Sequence, residues 1–514
     1  MTSEDKKQKN ILLIPVQDNL SHLGVKYLHY TLLEKGFQSK QLFLPHFNAK
    51  DTNILNNLKD FISKMNPLYV GLSLTSMEYH RSKELAIFLK KNFPEIPIIC
   101  GGVHPTVDPE SCLSFSDYTM VGECEFSIID FTNALMEGTD VKEVSNLCYF
   151  EDGKMKQNPL APAIKELDDL PIFDHIPKLS YIQRKDAVIY EITRDIYHKE
   201  GRFQGRTYEM LSSRGCAFSC TYCTNNYFNK MYPSNKRVRR RSIPNIIKEL
   251  EQMKRNDHEI MQVVFHDSSF LIGTRGYFKE FCDEYKKKIK LPFIVSTMPT
   301  TINREKLNFL KDAGVSWVTM ALQTGSDSVN KNIYKRHSYR KDFLDATKLI
   351  KEANLPVKSD VIMDNPFETE DDILQTIETI METPKPCLYE IFSLALLPGT
   401  ELYERAKKEC PEKMEDPRGK NFMKFQDNYL NTLTSLAVYL PKSIMKILLK
   451  MYNANSDGSG AFRFALGIAK VMNTIYFKPL NLFLWLKLTR EDSFVETFRI
   501  MPLYVKDYFT YRNL

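Results

Sequence analysis

The sequence predicts an α/β protein in three parts: an N-terminal doubly wound domain, a partial (β/α)6 barrel and a mainly α C-terminal region. Three observations predict it. The chain has 514 residues, too many for one ordinary core. Apolar strands alternate with helical patterns in two separate runs, and after about Gly399 the pattern changes to helices rich in Leu, Met, Tyr and Lys. The expected divisions are 1–145, a connecting segment at 146–206, the barrel at 207–405 and the helical region at 406–514.

In the first run, strands are expected at 11–16 (ILLIPV), 41–44 (QLFL), 69–74 (YVGLSL) and 96–102 (IPIICGG), with a further strand end at Tyr118–Gly122. Helices are expected at about Gly24–Lys35 and around Leu85, Phe88 and Leu89. Residues 150–205 are richer in Pro, Asp and Lys with weaker periodicity, so they read as a connector. The second run predicts strands near 207–212, 261–266, 293–297, 315–323, 357–363 and 389–396. Asn303 is placed to cap the helix carrying Leu307 and Leu310, and Gly314 to end it in a left-handed cap.

Hydrophobic residues at 43% and charged residues at 26% match ordinary globular proteins and exclude wholesale disorder or a coiled coil. The net charge of +6 is small for 70 basic and 64 acidic residues and gives no reason to expect nucleic acid. The polar start MTSEDKKQKN lacks the apolar stretch of a secretory signal, so the expected location is cytoplasmic. Ten cysteines without an export signal then point to reduced thiols, some of them metal ligands.

Seven of these cysteines are scattered, but Cys216, Cys220 and Cys223 have C-x3-C-x2-C spacing just beyond a predicted strand. Structural zinc usually takes four protein ligands, and no second C-x2-C or suitably spaced His pair follows. Three thiolates on a 4Fe-4S cube instead leave one iron open. With Tyr222 before the last cysteine, the stretch resembles the radical SAM superfamily. That resemblance implies that the open iron chelates the amino and carboxylate groups of S-adenosylmethionine (SAM), whose reductive cleavage gives a 5′-deoxyadenosyl radical.

Active residues of βα barrels lie at the C-terminal ends of the strands. The sequence puts His266, Asp267, Ser268 and Ser269, then Gln323, Thr324 and Ser326, then Asp364 and Asn365 at such ends. The resemblance continues over 207–405 with departures: Asp267-Ser268-Ser269-Phe270 stands for the usual Asp-Asp-x-Phe, Gln323-Thr324-Gly325-Ser326 for Glu-Ser-Gly-Ser, and Asp364-Asn365-Pro366-Phe367-Glu368-Thr369 for Gly-x-Pro-Gly-Glu-Thr. It implies SAM contacts from Tyr222, Asp267, Ser268, Gln323, Thr324 and Ser326. No catalytic side chain is assigned.

The first domain resembles the cobalamin-binding domain found ahead of many radical SAM barrels. Its matching stretches are Leu20–Gly24, Gly71–Thr75, Gly101-Gly102-Val103-His104-Pro105-Thr106 and Gly122-Glu123-Cys124-Glu125, the last with Cys124 where the family usually has Gly. Small residues beyond strand ends let a large cofactor approach the backbone. The implied cobalamin contacts are Gly24, Ser73, Thr75, Gly101, Gly102, His104 and Glu123. Asp18-x3-His22-x-Gly24 lacks the spacing of the usual Asp-x-His-x-x-Gly loop, so no histidine is expected on cobalt; His22 and His104 are expected to shape the pocket or to be turn residues.

The run Lys236-Arg237-Val238-Arg239-Arg240-Arg241 reads as a solvated loop or local anion contact, with Ser242 capping the next helix. Leu436–Met451 and Ile475–Leu488 mix apolar residues with lysines, as in core helices or in segments that lie on a membrane. The resulting expectation is a cobalamin-dependent radical SAM enzyme that methylates an unreactive carbon of an unknown small-molecule or lipid-like substrate. It would draw electrons from a donor such as flavodoxin or ferredoxin, with peripheral membrane contact as a further option. Radical cyclisation, rearrangement or coupling without methyl transfer is the alternative within enzymes. A non-catalytic cobalamin sensor or carrier is the alternative outside them.

Overall fold

The computed structural model describes residues 9–17, 19–233, 238–454 and 460–488. β1 (Asn10–Pro15), α1 (Leu23–Glu34), β2 (Gln38–Phe43), α2 (Thr52–Met65), β3 (Val70–Ser73), α3 (Tyr79–Asn92) and β4 (Ile98–Gly101) alternate as the sequence predicts. Two short helices, α4 (Val103–Val107) and α5 (Pro109–Leu113), lead to β5 (Tyr118–Met120) and α6 (Ser127–Glu137). The strands lie parallel in the order β2-β1-β3-β4-β5. The order in which strands are added reverses between β1 and β3, and a doubly wound sheet opens its binding crevice beyond the carboxyl ends at such a point.

The expected connector does more than connect. β6 (Leu147–Glu151) and β7 (Lys154–Gln157) extend the β5 edge antiparallel, while β8 (Ser180–Gln183) pairs with β2 and β9 (Ile189–Glu191) with β8. The nine-stranded sheet thus draws four strands from residues 147–191. These edge strands are three to five residues long, too short for a period-2 pattern to stand out, and β7 leaves most of its side chains in solvent. α7 (Arg194–Glu200) then leads into the barrel.

β10 (Thr207–Met210) begins that barrel. Beyond it, β11 (Ser213–Gly215) and β12 (Val238–Arg240) pair antiparallel, with the cysteine loop and α8 (Thr224–Met231) between them. Next come α9 (Ile243–Asn256), β13 (Gln262–Phe265), α10 (Arg275–Lys288), β14 (Phe293–Thr297), α11 (Arg304–Ala313) and β15 (Val315–Met320). α12 (Arg340–Glu352), β16 (Val357–Met363), α13 (Glu370–Glu382) and β17 (Cys387–Ser393) complete the six units. The strands are parallel and in sequence order, with β10 and β17 at opposite edges. Asn303 Oδ1 accepts from Lys306 N at 2.9 Å and Gly314 has φ 94°, so α11 has the caps its sequence announces.

The barrel's outer face packs on its helices through an aromatic cluster of Phe265, Phe270, Phe281, Tyr285 and Phe293. α14 (Glu401–Glu409) follows β17, then α15 (Tyr429–Ala437), α16 (Lys442–Ala454), α17 (Gly460–Met472), a π-helical turn at Asn473–Phe477 and α18 (Lys478–Leu488). Leu433, Leu436, Leu448, Phe462 and Leu466 join the same core, which ties the helical region to the barrel. Among the described residues no helix is long and apolar enough to cross a membrane.

Candidate cofactor site between the two sheets

A cavity of about 630 Å3 separates the carboxyl ends of the first sheet from the hairpin that bears the cysteine loop. One wall is apolar and backbone-rich, with Leu13, Leu72, Ile99 and Met120 beside Gly24, Gly71, Gly101 and Gly102. The facing wall comes from the barrel and includes Arg214, Gly215, Asn225, Tyr232 and Ser268. A side chain added at Gly24 or Gly101 would meet nothing within 4 Å, so these glycines leave open space. Gly102 serves otherwise: at φ 109° a Cβ there would stand 2.8 Å from Leu74 O, and only glycine fits the turn into α4.

Of the residues implied for cobalamin, Gly24, Ser73, Gly101, Gly102 and Glu123 line this cavity. Thr75 and His104 are not among the lining residues. Thr75 caps the turn at Ser76–Glu78, where its hydroxyl and backbone N–H both donate to the Glu78 carboxylate. His104 is fully buried, with Nδ1 2.9 Å from Ser76 Oγ and Nε2 3.1 Å from Ser111 Oγ, and burial lowers its pKa to about 4. The hydroxyl and the imidazole are each occupied locally, which spacing along the chain does not reveal. His22 is also buried, with Nε2 2.8 Å from Asn19 O, and it too is absent from the lining. Asp18, the other half of the altered histidine motif, lies outside the described residues.

Glu123 reaches the cavity but is held from the barrel side. Arg239 Nη2 and Nη1 donate to its two carboxylate oxygens at 2.5 and 2.9 Å, and Ile164 N donates at 3.0 Å. Arg214 donates to Glu125 Oε1 at 2.5 Å, approaches Glu123 at 3.8 Å and lies 5.0 Å above the Tyr27 ring. Burial alone would raise Glu123; the Arg239 hydrogen bonds and the Arg214 charge outweigh it and hold the carboxyl below its ordinary value. Burial likewise opposes the charge on Arg214, but the two glutamates prevail and raise its pKa. Glu125 Oε2 is buried with no hydrogen-bond partner among the described residues.

These arginines correct the expectation for the basic run. Lys236 and Arg237 lie outside the described residues, but the other three arginines bind within the protein instead of facing solvent. Arg239 holds Glu123, Arg240 donates to Phe270 O at 3.0 Å, and Arg241 pairs with buried Glu249 at 2.5 Å. The sequence offered no signal for this, because the partners of Arg214 and Arg239 are 89 and 116 residues away.

The cysteine loop runs from Gly215 to the start of α8. Cys216 and Cys220 are buried and Cys223 is half-buried. Asn229 Nδ2 donates to Cys216 O at 2.9 Å, Thr221 N donates to Tyr334 O at 3.0 Å, and the Tyr222 ring lies edge-on to Tyr334 with centroids 4.7 Å apart. Burial pushes the Cys220 thiol up to about 11, with the buried Arg336 guanidinium acting in the opposite sense. As they stand, no three His, Cys, Asp or Glu side chains among the described residues form a closed metal cage. The donor chemistry still suits an iron–sulfur cluster: three thiols on one short loop, anchored through its backbone, with none of the other seven cysteines on it.

The polar residues expected at the barrel mouth divide in two. Asp267 is buried and accepts from Ser212 Oγ at 2.8 Å and from the Ser213 hydroxyl, so it holds the backbone that leads into the cysteine loop. Thr324 and Ser326 are also fully buried: Thr324 Oγ1 is 3.1 Å from Thr376 Oγ1, and Ser326 Oγ donates to Asp372 at 2.5 Å. These three side chains therefore serve the protein interior. Ser268 is exposed to the cavity and accepts from Asn225 Nδ2 at 3.0 Å. Gln323, held at φ 66°, keeps a buried Oε1 without a hydrogen-bond partner among the described residues. Gln323 is not among the residues lining the cavity, and its unpaired amide oxygen is an acceptor suited to a polar group such as the amino group of SAM.

A doubly wound sheet thus faces an open six-unit barrel with a three-thiol loop at its mouth, the arrangement that the resemblance of the sequence implies. Residues 210–380 match the family model for the radical SAM superfamily and residues 9–128 that for the B12 binding domain. The chain belongs to the radical SAM superfamily, in the group that carries a B12 binding domain. It is 24% identical over 357 residues to an uncharacterized methyltransferase of Pyrococcus horikoshii, covering 68% of this chain and 72% of that one. It is also 24% identical over 377 residues to the cytidylyl-2-hydroxyethylphosphonate methyltransferase of Streptomyces wedmorensis, covering 64% and 67%. The solved structure of the cobalamin-dependent S-adenosylmethionine radical enzyme OxsB has the same fold, with a TM-score of 0.65 at 14% identity, over 99% of this chain and 77% of that one. The protein is thus an enzyme whose cofactors are a 4Fe-4S cluster, SAM and cobalamin, and which needs a reductant and a substrate.

Proposed function

We propose that this enzyme transfers a methyl group to an unreactive carbon of its substrate, using a cobalamin site in the cavity and a cluster site on the loop that leaves the hairpin forming the cavity's far wall. Cys216, Cys220 and Cys223 would hold the cluster, Gln323, with Tyr222 and Ser268, would face SAM, and Gly24, Ser73, Gly101 and Gly102 would receive cobalamin. Bound there, the cofactors supply a radical able to abstract hydrogen and a methyl group to replace it. The observation that carries the reading is the cavity itself, walled on one side by the glycines of the first sheet and on the other by the cysteine hairpin. Both named relatives are methyltransferases, while an anaerobic magnesium-protoporphyrin IX monomethyl ester cyclase of Synechocystis, 22% identical over 374 residues, keeps ring closure as the alternative.

The chain's own residues have definable tasks in this reading. Asp267 fixes Ser212 and Ser213 and so the start of the cysteine loop. Arg214 and Arg239 fix the hairpin against Glu125 and Glu123 of the first sheet, which sets the spacing between the two sites. Leu13, Leu72, Ile99 and Met120 keep water from one wall. Residues 1–145 would then be the cobalamin half and 207–405 the cluster half, in a cytoplasmic enzyme reduced by a donor such as flavodoxin or ferredoxin.

The test is anaerobic reconstitution with iron, sulfide and cobalamin, followed by mass spectrometry of products formed from methyl-labelled SAM with candidate extracts. Label in a new carbon–methyl bond is the expected result; 5′-deoxyadenosine with an unlabelled, rearranged product would replace methylation by cyclisation or coupling. Alanine at Cys216, Cys220 or Cys223 should abolish the cluster's visible absorption and 5′-deoxyadenosine formation while cobalamin is retained.

A further inference from the structure

The C-terminal helices carry a surface that the cofactor sites do not use. α17, the π-helical turn and α18 form one continuous rod from Gly460 to Leu488. One face of it is anchored: Phe462, Leu466 and Ala469 enter the barrel core, Asn481 Nδ2 donates to Cys387 O at 3.2 Å, and Leu482 packs against Ile294 and Trp317. The opposite face is also apolar. Phe464, Ile468, Val471 and Ile475 are 72, 47, 57 and 73% exposed, and their spacing of four, three and four residues places them on one stripe. Single exposed apolar residues are ordinary, but a helix with a second apolar stripe turned outward presents a docking patch.

Charge selects the occupant. Residues 442–488 contain Lys442, Lys446, Lys450, Arg463, Lys470, Lys478 and Lys487 against Asp457 alone, in a chain whose totals are 70 basic and 64 acidic. Lys442, Lys446 and Lys450 recur every four residues on the exposed side of α16, and Arg463 and Lys470 are exposed beside the α17 stripe. A second copy would bring two cationic faces together, which repel. Residues 489–514 hold four acidic and four basic residues, Glu491, Asp492, Glu496 and Asp507 against Arg490, Arg499, Lys506 and Arg512, and offer no complementary charge.

We infer that α16 and the rod at 460–488 dock the enzyme on an anionic lipid surface. The apolar stripe enters the headgroup–acyl boundary and the lysines and arginine meet lipid phosphates. This does not depend on which reaction the cofactors perform.

The test is flotation of the full chain with vesicles of phosphatidylcholine alone and of phosphatidylcholine mixed with phosphatidylglycerol, at low and high salt, alongside sedimentation of the free chain. The expected result is flotation with the phosphatidylglycerol vesicles only, weakened by salt, from a chain that is monomeric when free. Phe464→Glu with Ile475→Glu should lower binding by about tenfold or more. Lys446→Glu with Lys450→Glu, on exposed positions of α16, should lower it independently. The inference fails if the chain does not float with phosphatidylglycerol vesicles, or if both double variants float as well as the parent. It also fails if the free chain is a dimer that Phe464→Glu with Ile475→Glu returns to monomer, which would assign the stripe to a second copy.

Discussion

The first sheet and the barrel both end in small and polar residues at the carboxyl ends of their strands, but they use them in opposite ways. Beyond β1 and β4 the chain withdraws: Gly24 and Gly101 leave open space beside a wall of backbone and aliphatic carbon, while Gly71 within β3 lets Leu13 pack close. Beyond β13, β15 and β16 the chain closes in on itself. Asp267 grips two serines, Thr324 and Ser326 bond to α13, and Asp364 accepts from Asn431 Nδ2 at 2.7 Å and from Gln426 N at 3.1 Å, fastening the helical region. A bulky cofactor needs space with few fixed contacts, whereas a radical-generating site needs a frame that does not move. The two rims differ as those needs do.

Substitutions that fill the open rim should break this contrast most strongly. Gly102→Val forces a side chain onto Leu74 O at a left-handed φ, and should destabilise the first domain by about 3 kcal/mol or more, with cobalamin lost through misfolding. A Cβ at position 101 has no atom within 4 Å, so the melting temperature of Gly101→Val should hold while cobalamin retained after gel filtration falls by about tenfold. Equal cobalamin retention in Gly101→Val and the parent would show that the cofactor does not approach this wall.

Next in size is a pH effect confined to the framed rim. Burial raises the Glu368 carboxyl to about 8, helped by Asp372 and Asp364 and opposed by a Thr324 hydrogen bond, and its Oε1 has no hydrogen-bond partner among the described residues. The folded pKa lies above the unfolded value near 4.5, so the native state keeps a proton that the unfolded chain gives up. Stability should therefore be full below about 4.5 and fall as pH rises toward 8, by at most about 4 kcal/mol. Chemical denaturation across this range should show a flatter curve for Glu368→Gln. Asp360, raised by burial to about 6, leaves a smaller slope in the lower part of the window.

The same contrast explains what could be read in advance. Glycines and the cysteine spacing were legible because each is a statement about space or stoichiometry, and neither depends on a distant partner. All six barrel strands were legible from alternation, since each runs four to seven residues with apolar positions buried. A hydroxyl or carboxylate at a strand end was not legible, because its partner is set by tertiary packing. Thr75 satisfies Glu78, His104 lies between two serines, and Thr324 meets Thr376, none of which spacing along the chain distinguishes from a cofactor contact. The Arg214 and Arg239 pairs with Glu125 and Glu123 went unread for the same reason at longer range.

Those pairs join the two rims and supply the next test. Arg239→Ala leaves Glu123 buried without its main partner, at a cost of about 3 kcal/mol when a buried pair loses one member. Thermal unfolding should show the loss, and the magnetic coupling between the reduced cluster and cobalt(II) cobalamin should broaden as their separation becomes variable. An unchanged coupling with lowered stability would reduce the pairs to structural supports.

The smallest expected effects lie within the barrel rim, where Gln323 differs from its neighbours. Thr324→Val and Ser326→Ala each remove a hydroxyl that bonds only within the protein, so each should cost about 1–2 kcal/mol of stability and leave SAM affinity nearly unchanged. Gln323→Leu removes an amide whose Oε1 has no partner to lose, so stability should hold or rise slightly, while the Kd for SAM measured on the reconstituted cluster protein should rise by about tenfold. If Thr324→Val weakened SAM binding as much as Gln323→Leu did, the hydroxyls would have to leave α13 when SAM arrives. The frame would then be rearranged by its ligand, and the distinction between an open cobalamin rim and a fixed radical rim would hold only before SAM binds.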